Sequence, residues 1–72
     1  ISIYPNPVAS AFNLNTTESN VQISIFDLSG SLLLSKQISG SDPVDVSFLS
    51  EGIYMAKIAT EKATVTRKFV KR

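Results

Sequence analysis

The run Val21-Gln22-Ile23-Ser24-Ile25-Phe26-Asp27-Leu28-Ser29-Gly30 decides the fold. Val21, Ile23 and Ile25 alternate with Gln22 and Ser24, so one face is apolar and the other polar. That is the period of a half-buried strand. Phe26 breaks the alternation, which predicts an apolar neighbour on the outer face at that end. Asp27-Leu28-Ser29-Gly30 then reads as a tight hairpin turn. An aspartate side chain accepts from the backbone two residues on, and glycine tolerates positive φ.

Outward from this run the same grammar repeats. Seven Ile, six Val and five Thr make 18 of 72 residues β-branched, a density that suits pleated strands. Toward the N-terminus, Ala11–Thr16 places Phe12 and Leu14 on one face, and Thr17–Asn20 is a polar loop. Ile1–Tyr4 is a strand that Pro5-Asn6-Pro7 stops, because two N–H donors are missing. Toward the C-terminus, Ser31–Ile38 holds three consecutive leucines and is expected to be apolar on both faces. A helix competes there, but Gly30 and Gly40 leave it little room. Ser39-Gly40-Ser41-Asp42-Pro43 is a loop, and in Val44–Phe48 the residues Val44, Val46 and Phe48 share a face. After a turn over Ser47–Gly52, Ile53–Ala59 sets Tyr54, Ala56 and Ile58 against Ile53, Met55 and Lys57. Thr60-Glu61-Lys62 links to a last strand, Ala63–Lys71, with Val65 and Phe69 on one side and Val70 on the other.

Seven short strands on short links must pair mostly antiparallel, because parallel pairs need long crossovers. Half-buried strands cover their apolar face without helices by packing two sheets. The fold is therefore expected to be all-β, an immunoglobulin-like β-sandwich of about seven short, mostly antiparallel strands. A small barrel is the alternative.

Composition narrows the chemistry. At 7.8 kDa the chain has material for one domain, residues 1–72. It contains no Cys and no His, so it supplies no disulfide, no thiolate metal site and no Ser-His-Asp or Cys-His catalytic set. No apolar run approaches the roughly 20 residues of a membrane-spanning helix. Net charge is +1, with no aromatic platform interleaved among the cations, which argues against nucleic acid. Asp42, Asp45 and Glu51 lack the spacing of a calcium loop, and no pair of carboxylates is set across a cleft for hydrolysis. Asn15-Thr16-Thr17 matches a glycosylation sequon. A chain that opens on Ile1, already in a strand and with no visible leader, is expected to be a fragment of a longer chain.

Four stretches stand in a recognisable order: Tyr4-Pro5-Asn6-Pro7, Val21 through Gly30, Leu49-Ser50-Glu51-Gly52-Ile53-Tyr54, and Lys68-Phe69-Val70-Lys71. Together they resemble the type A C-terminal sorting domain of the type IX (Por) secretion system of Bacteroidetes, over essentially the whole chain. The link Thr60-Glu61-Lys62-Ala63 departs from that family in lacking a glycine. The resemblance implies a non-enzymatic secretion signal with no cofactor, no metal and no small-molecule substrate. Its partners would be an N-terminal cargo domain, an outer-membrane type IX translocon or shuttle, and a sortase-like protease. The cargo would pass through the periplasm and across the outer membrane, lose the domain by proteolysis, and end released or attached to the cell surface. The alternative class is a structural, adhesive or carbohydrate-binding module of a cell-surface protein. Against it, the chain has no Trp and only six Phe and Tyr, most of them on core-facing parities.

The residues expected to meet the export machinery are Pro5, Asn6, Pro7, Gly52, Tyr54, Arg67, Lys68, Phe69, Val70, Lys71 and Arg72. For Pro5 and Pro7 the competing role is to end a strand and protect a sheet edge. For Gly52 and Tyr54 it is a turn with positive φ and a core ring with a polar tip. The last eleven residues hold five basic residues, Lys62, Arg67, Lys68, Lys71 and Arg72, and no acidic ones. They read either as a solvated edge strand that discourages aggregation or as a docking ribbon for acidic groups and strand addition. A free edge would also permit self-association. On the docking reading, removal of Lys68–Arg72 is expected to block export at little cost in stability.

Overall fold

The structure is a computed structural model that describes residues 1–40 and 42–72. Ser41, in the expected loop Ser39–Pro43, lies outside the described residues. Seven strands follow in chain order: β1 (Ile3–Tyr4), β2 (Ala11–Leu14), β3 (Val21–Phe26), β4 (Leu32–Ile38), β5 (Val44–Asp45), β6 (Gly52–Ala59) and β7 (Thr64–Lys71). They form two sheets, β1-β2-β5 and β4-β3-β6-β7, and every paired strand is antiparallel. No helix occurs among the described residues. The expected all-β sandwich is what the chain forms.

The topology has an immunoglobulin-like mark. Tyr54, at the start of β6, is buried and donates its hydroxyl to the Ser50 carbonyl at 2.8 Å. A tyrosine bonded to backbone a few residues upstream, at the entrance to that strand, pins the corner between the two sheets of such sandwiches. The ring stacks on Phe69 of β7, and Phe69 meets Phe12 of β2 with centroids 5.1 Å apart. One aromatic line thus joins the two sheets through the middle of the core.

The alternation read from sequence places the core correctly. Val21, Ile23 and Ile25 of β3, Phe12 and Leu14 of β2, and Tyr54, Ala56 and Ile58 of β6 all turn inward. Phe26 turns outward and pairs with Leu32 on one side and Met55 on the other, the apolar company its position predicts. The β3–β4 turn is built as expected. Asp27 Oδ1 accepts the amides of Ser29 and Ser31, both at 3.0 Å, and Gly30 takes φ +92°. The β6–β7 link closes without glycine because Thr60 Oγ1 accepts the amides of Lys62 and Ala63, each at 3.2 Å.

The leucine triplet of β4 is apolar on both faces, as expected, but only one of them is covered; two other expectations are corrected. β4 is a sheet edge, Leu32 and Leu33 are exposed, and only Leu34 packs partly on the core. Phe48 does not share the face of Val44 and Val46. Asp45 Oδ1 captures the Ser47 amide at 2.9 Å, the chain turns, and Leu49 takes the interior place while Phe48 is exposed. Nor do most aromatics face the core: Phe12, Tyr54 and Phe69 are buried, Phe26 is half-buried, and Tyr4 and Phe48 are exposed.

Candidate functional site

Two prolines end β1, and the chain then crosses from one sheet to the other. Ile3 and Tyr4 pair with β2, whereas Val8, four residues on, forms a parallel bridge to Lys71 of β7. Pro5 and Pro7 carry no amide to satisfy through this crossing, and both of their preceding peptide bonds are cis. Asn6, between them, contributes an acceptor from its side chain: its Oδ1 accepts the Val70 amide at 3.1 Å. Backbone bonds complete the contact: Val8 N–H donates to the Val70 carbonyl at 2.7 Å, and Arg72 N–H donates to the Val8 carbonyl at 2.8 Å.

The segment Pro5–Val8 is therefore tied to the end of β7 by one bridge at Val8 and the side chain of Asn6. It brings together the two ends of the chain, with Asn6 and Val70 separated by 64 positions. It also alters the expectation of a free terminal edge. The outward-facing groups of Val70 and Arg72 are already occupied by the chain itself. By strand alternation, the outward backbone positions left to a partner are those of Thr64, Thr66 and Lys68.

The residues expected to meet the export machinery gather at this end. Gly52 pairs with Lys71, Ile53 with Val70, and Tyr54 with Phe69. Gly52 takes φ +157° beside the Tyr54 ring. Pro5, Asn6, Pro7, Lys68, Val70 and Arg72 are exposed. Arg67 is exposed but engaged, its Nε donating to the Ile1 carbonyl at 2.9 Å. Phe69 is fully buried, and Tyr54 and Lys71 are buried. Lys71 shares the inward parity of Phe69, and its Nζ donates to the Arg72 carbonyl at 2.6 Å. Alternation along β7 is the sequence signal for its burial. Lys62 is held apart from this group, paired with Glu18 at 3.4 Å.

The burial of Phe69 and Lys71 corrects one expectation. Removing Lys68–Arg72 takes out the ring that joins Tyr54 to Phe12, so it cannot leave stability nearly intact.

Elsewhere the carboxylates serve turns. Asp27 lies below the ordinary carboxylate range because the Ser29 hydroxyl, then the Ser31 amide, donate to it. Asp45 is lowered in the same way by Ser47 and, more weakly, by the charge of Lys36. Asp42 accepts the Ser39 amide at 3.1 Å. Asn15, the sequon residue, accepts the Ser2 amide at 2.6 Å. Among the described residues the surface has no pocket and no cluster of potential metal ligands. What it offers a partner is faces and edges.

A family model described as the secretion system C-terminal sorting domain matches residues 2–72. The chain belongs to that family. Among curated proteins no sequence match was found. As a sorting domain the chain is a type IX secretion signal, and the export it serves crosses the outer membrane to the cell surface or the medium. The family is one of sorting signals and is not a known enzyme family. Sorting implies contact with the secretion machinery and with a cargo. In the sorting domain, the two motifs at opposite ends of the sequence meet at one end of the sandwich.

Proposed function

We propose that the chain is a non-enzymatic folded label that carries an N-terminal cargo through the periplasm to an outer-membrane type IX translocon or shuttle. There a sortase-like protease removes it, and the cargo is released or anchored. The surface read by the machinery is the end of the sandwich where Pro5, Asn6 and Pro7 lie against Val70 and Arg72, with Lys68 beside them. The observation that supports this reading is the bonding of Asn6 and Val8 to β7. It makes one composite surface of two motifs that neither end could present alone. Gly52 sets the turn beneath this surface, and Tyr54, Phe69 and Lys71 shape it from within. Arg67 ties the last strand to the Ile1 carbonyl.

The test is a fusion of residues 1–72 behind a neutral periplasmic reporter, produced in cells with and without the type IX apparatus. The reporter is expected outside the cell only when the apparatus is present, and its mass is expected to lack the domain. A reporter retained in the periplasm of apparatus-positive cells overturns the reading. An exported reporter that keeps the domain overturns the proteolytic step alone.

A further inference from the structure

The four-stranded sheet separates charge from the rest of the molecule. β3, β4, β6 and β7 contain no Asp or Glu, and they carry five of the seven basic residues; Lys57 and Lys68 stand on the outward face, whereas Lys36, Arg67 and Lys71 share the inward parity of Ile23, Ala56 and Phe69. The remainder of the chain holds two basic residues against all six carboxylates, −4 beside +5. A net charge of +1 conceals this division.

The outward face of the same sheet is also divided along its length. One cross-strand row runs Leu32, Phe26, Met55, Lys68. Beside it lie Ile53 and Val70, directly paired. Leu32, Ile53 and Val70 are 57%, 43% and 39% exposed. The next row is Ser35, Ser24, Lys57, Thr66, and the one beyond it is Gln37, Gln22, Ala59, Thr64. An apolar band thus crosses all four strands, with Lys57 and Lys68 at its margin. Contiguous apolar surface of this kind, rimmed by charge, marks an interaction site.

We infer that this outer face docks a protein surface that is apolar at its centre and carboxylate-bearing at its rim. The inference rests on the sorting role and names the chemistry of the partner. An anionic bilayer takes apolar side chains about 5–10 Å into the headgroup and acyl boundary with the cations on a separate polar face, whereas Lys68 stands in the same cross-strand row as Phe26 and Met55, an interleaving that suits a protein interface. A second copy laid face to face would bring more lysines and no strand carboxylate to this surface, so nothing on it would pair with Lys57 and Lys68.

The experiment uses the same reporter fusion with wild type, Lys57→Glu/Lys68→Glu and Met55→Ser/Val70→Ser. Melting curves on each domain separate folding from docking. Export is expected to fall about tenfold or more for the charge-reversed pair, and to fall for the apolar pair, while the charge-reversed domain melts as wild type does. Export of a folded charge-reversed fusion at the wild-type level overturns the inference and leaves the sorting role intact. Failure of the wild-type fusion itself indicts the sorting role instead. Two further readouts complete it: flotation of the purified domain with phosphatidylglycerol-containing vesicles, and sedimentation across concentrations. No flotation and a monomer are expected. Lysine-dependent flotation assigns the face to a membrane, lysine-dependent dimers assign it to a second copy, and either result overturns the inference.

Discussion

The side-chain oxygen of Asn6 accepts the backbone amide of Val70 at 3.1 Å, across 64 positions of sequence. Through that bond the proline-bracketed crossing between sheets and the last strand become one structural unit. Replacing Asn6 by Ala leaves the Val70 amide to water and is expected to cost about 1 kcal/mol. Asn6→Asp keeps an acceptor oxygen and should cost less. Chemical denaturation of the three proteins checks the order. Equal midpoints for Asn6→Ala and wild type would show that the bond carries no stability.

Phe69 is fully buried between Tyr54 and Phe12. Phe69→Ala is expected to cost about 3–5 kcal/mol. A chain this small has roughly 0.05–0.15 kcal/mol per residue to lose, so the variant should lose a large share of its stability and unfold at a much lower urea concentration. Circular dichroism and a urea titration read this directly, and a cooperative transition near the wild-type midpoint contradicts it.

Gly40 is a position where space, not backbone conformation, demands glycine. A Cβ there would lie 2.7 Å from the Thr16 carbonyl and 2.8 Å from that of Glu18, and backbone cannot step aside cheaply. Gly40→Ala is expected to cost on the order of 2 kcal/mol. Gly30→Ala meets nothing within 4 Å but must hold φ +92°, a cost of about 1 kcal/mol. Paired melting curves should rank Gly40→Ala as the more damaging.

Asp27 is held below the ordinary carboxylate value of 3.8, first by the Ser29 hydroxyl and then by the Ser31 amide. A carboxylate depressed on folding stabilises the fold above its unfolded value, and that contribution disappears as pH falls through the folded value. The stability difference between wild type and Asp27→Asn should therefore be present at neutral pH and close as pH drops below 3.8. A difference that stays constant across that range removes the charge from the account of the turn.

The strands were legible because their signals are local. Val21, Ile23 and Ile25 announce a face by period, and Asp27 and Gly30 announce a turn by backbone chemistry. What escaped depends on neighbours far along the chain. Leu32–Leu34 looks like core by composition, and only the strand order shows that β4 is an edge. Phe48 and Leu49 are equally apolar, and the bond from the Ser47 amide to Asp45 decides which of them enters the core. Lys71 reads as a free charge by composition, although its parity with Phe69 points it inward. The resemblance gave the residues of the candidate site, but not that Asn6 and Val8 bind Val70 and Arg72. No local rule links positions so distant.

The two end motifs are proposed to be read as one surface, and everything functional depends on that. The measurement is the fraction of reporter outside type IX-competent cells for three fusions: wild type, Pro5→Ala/Pro7→Ala, and Arg72→Glu. Melting curves confirm that each domain is folded. Export well below wild type for both variants is the expected result. A folded variant of either half that is exported as well as wild type contradicts the claim.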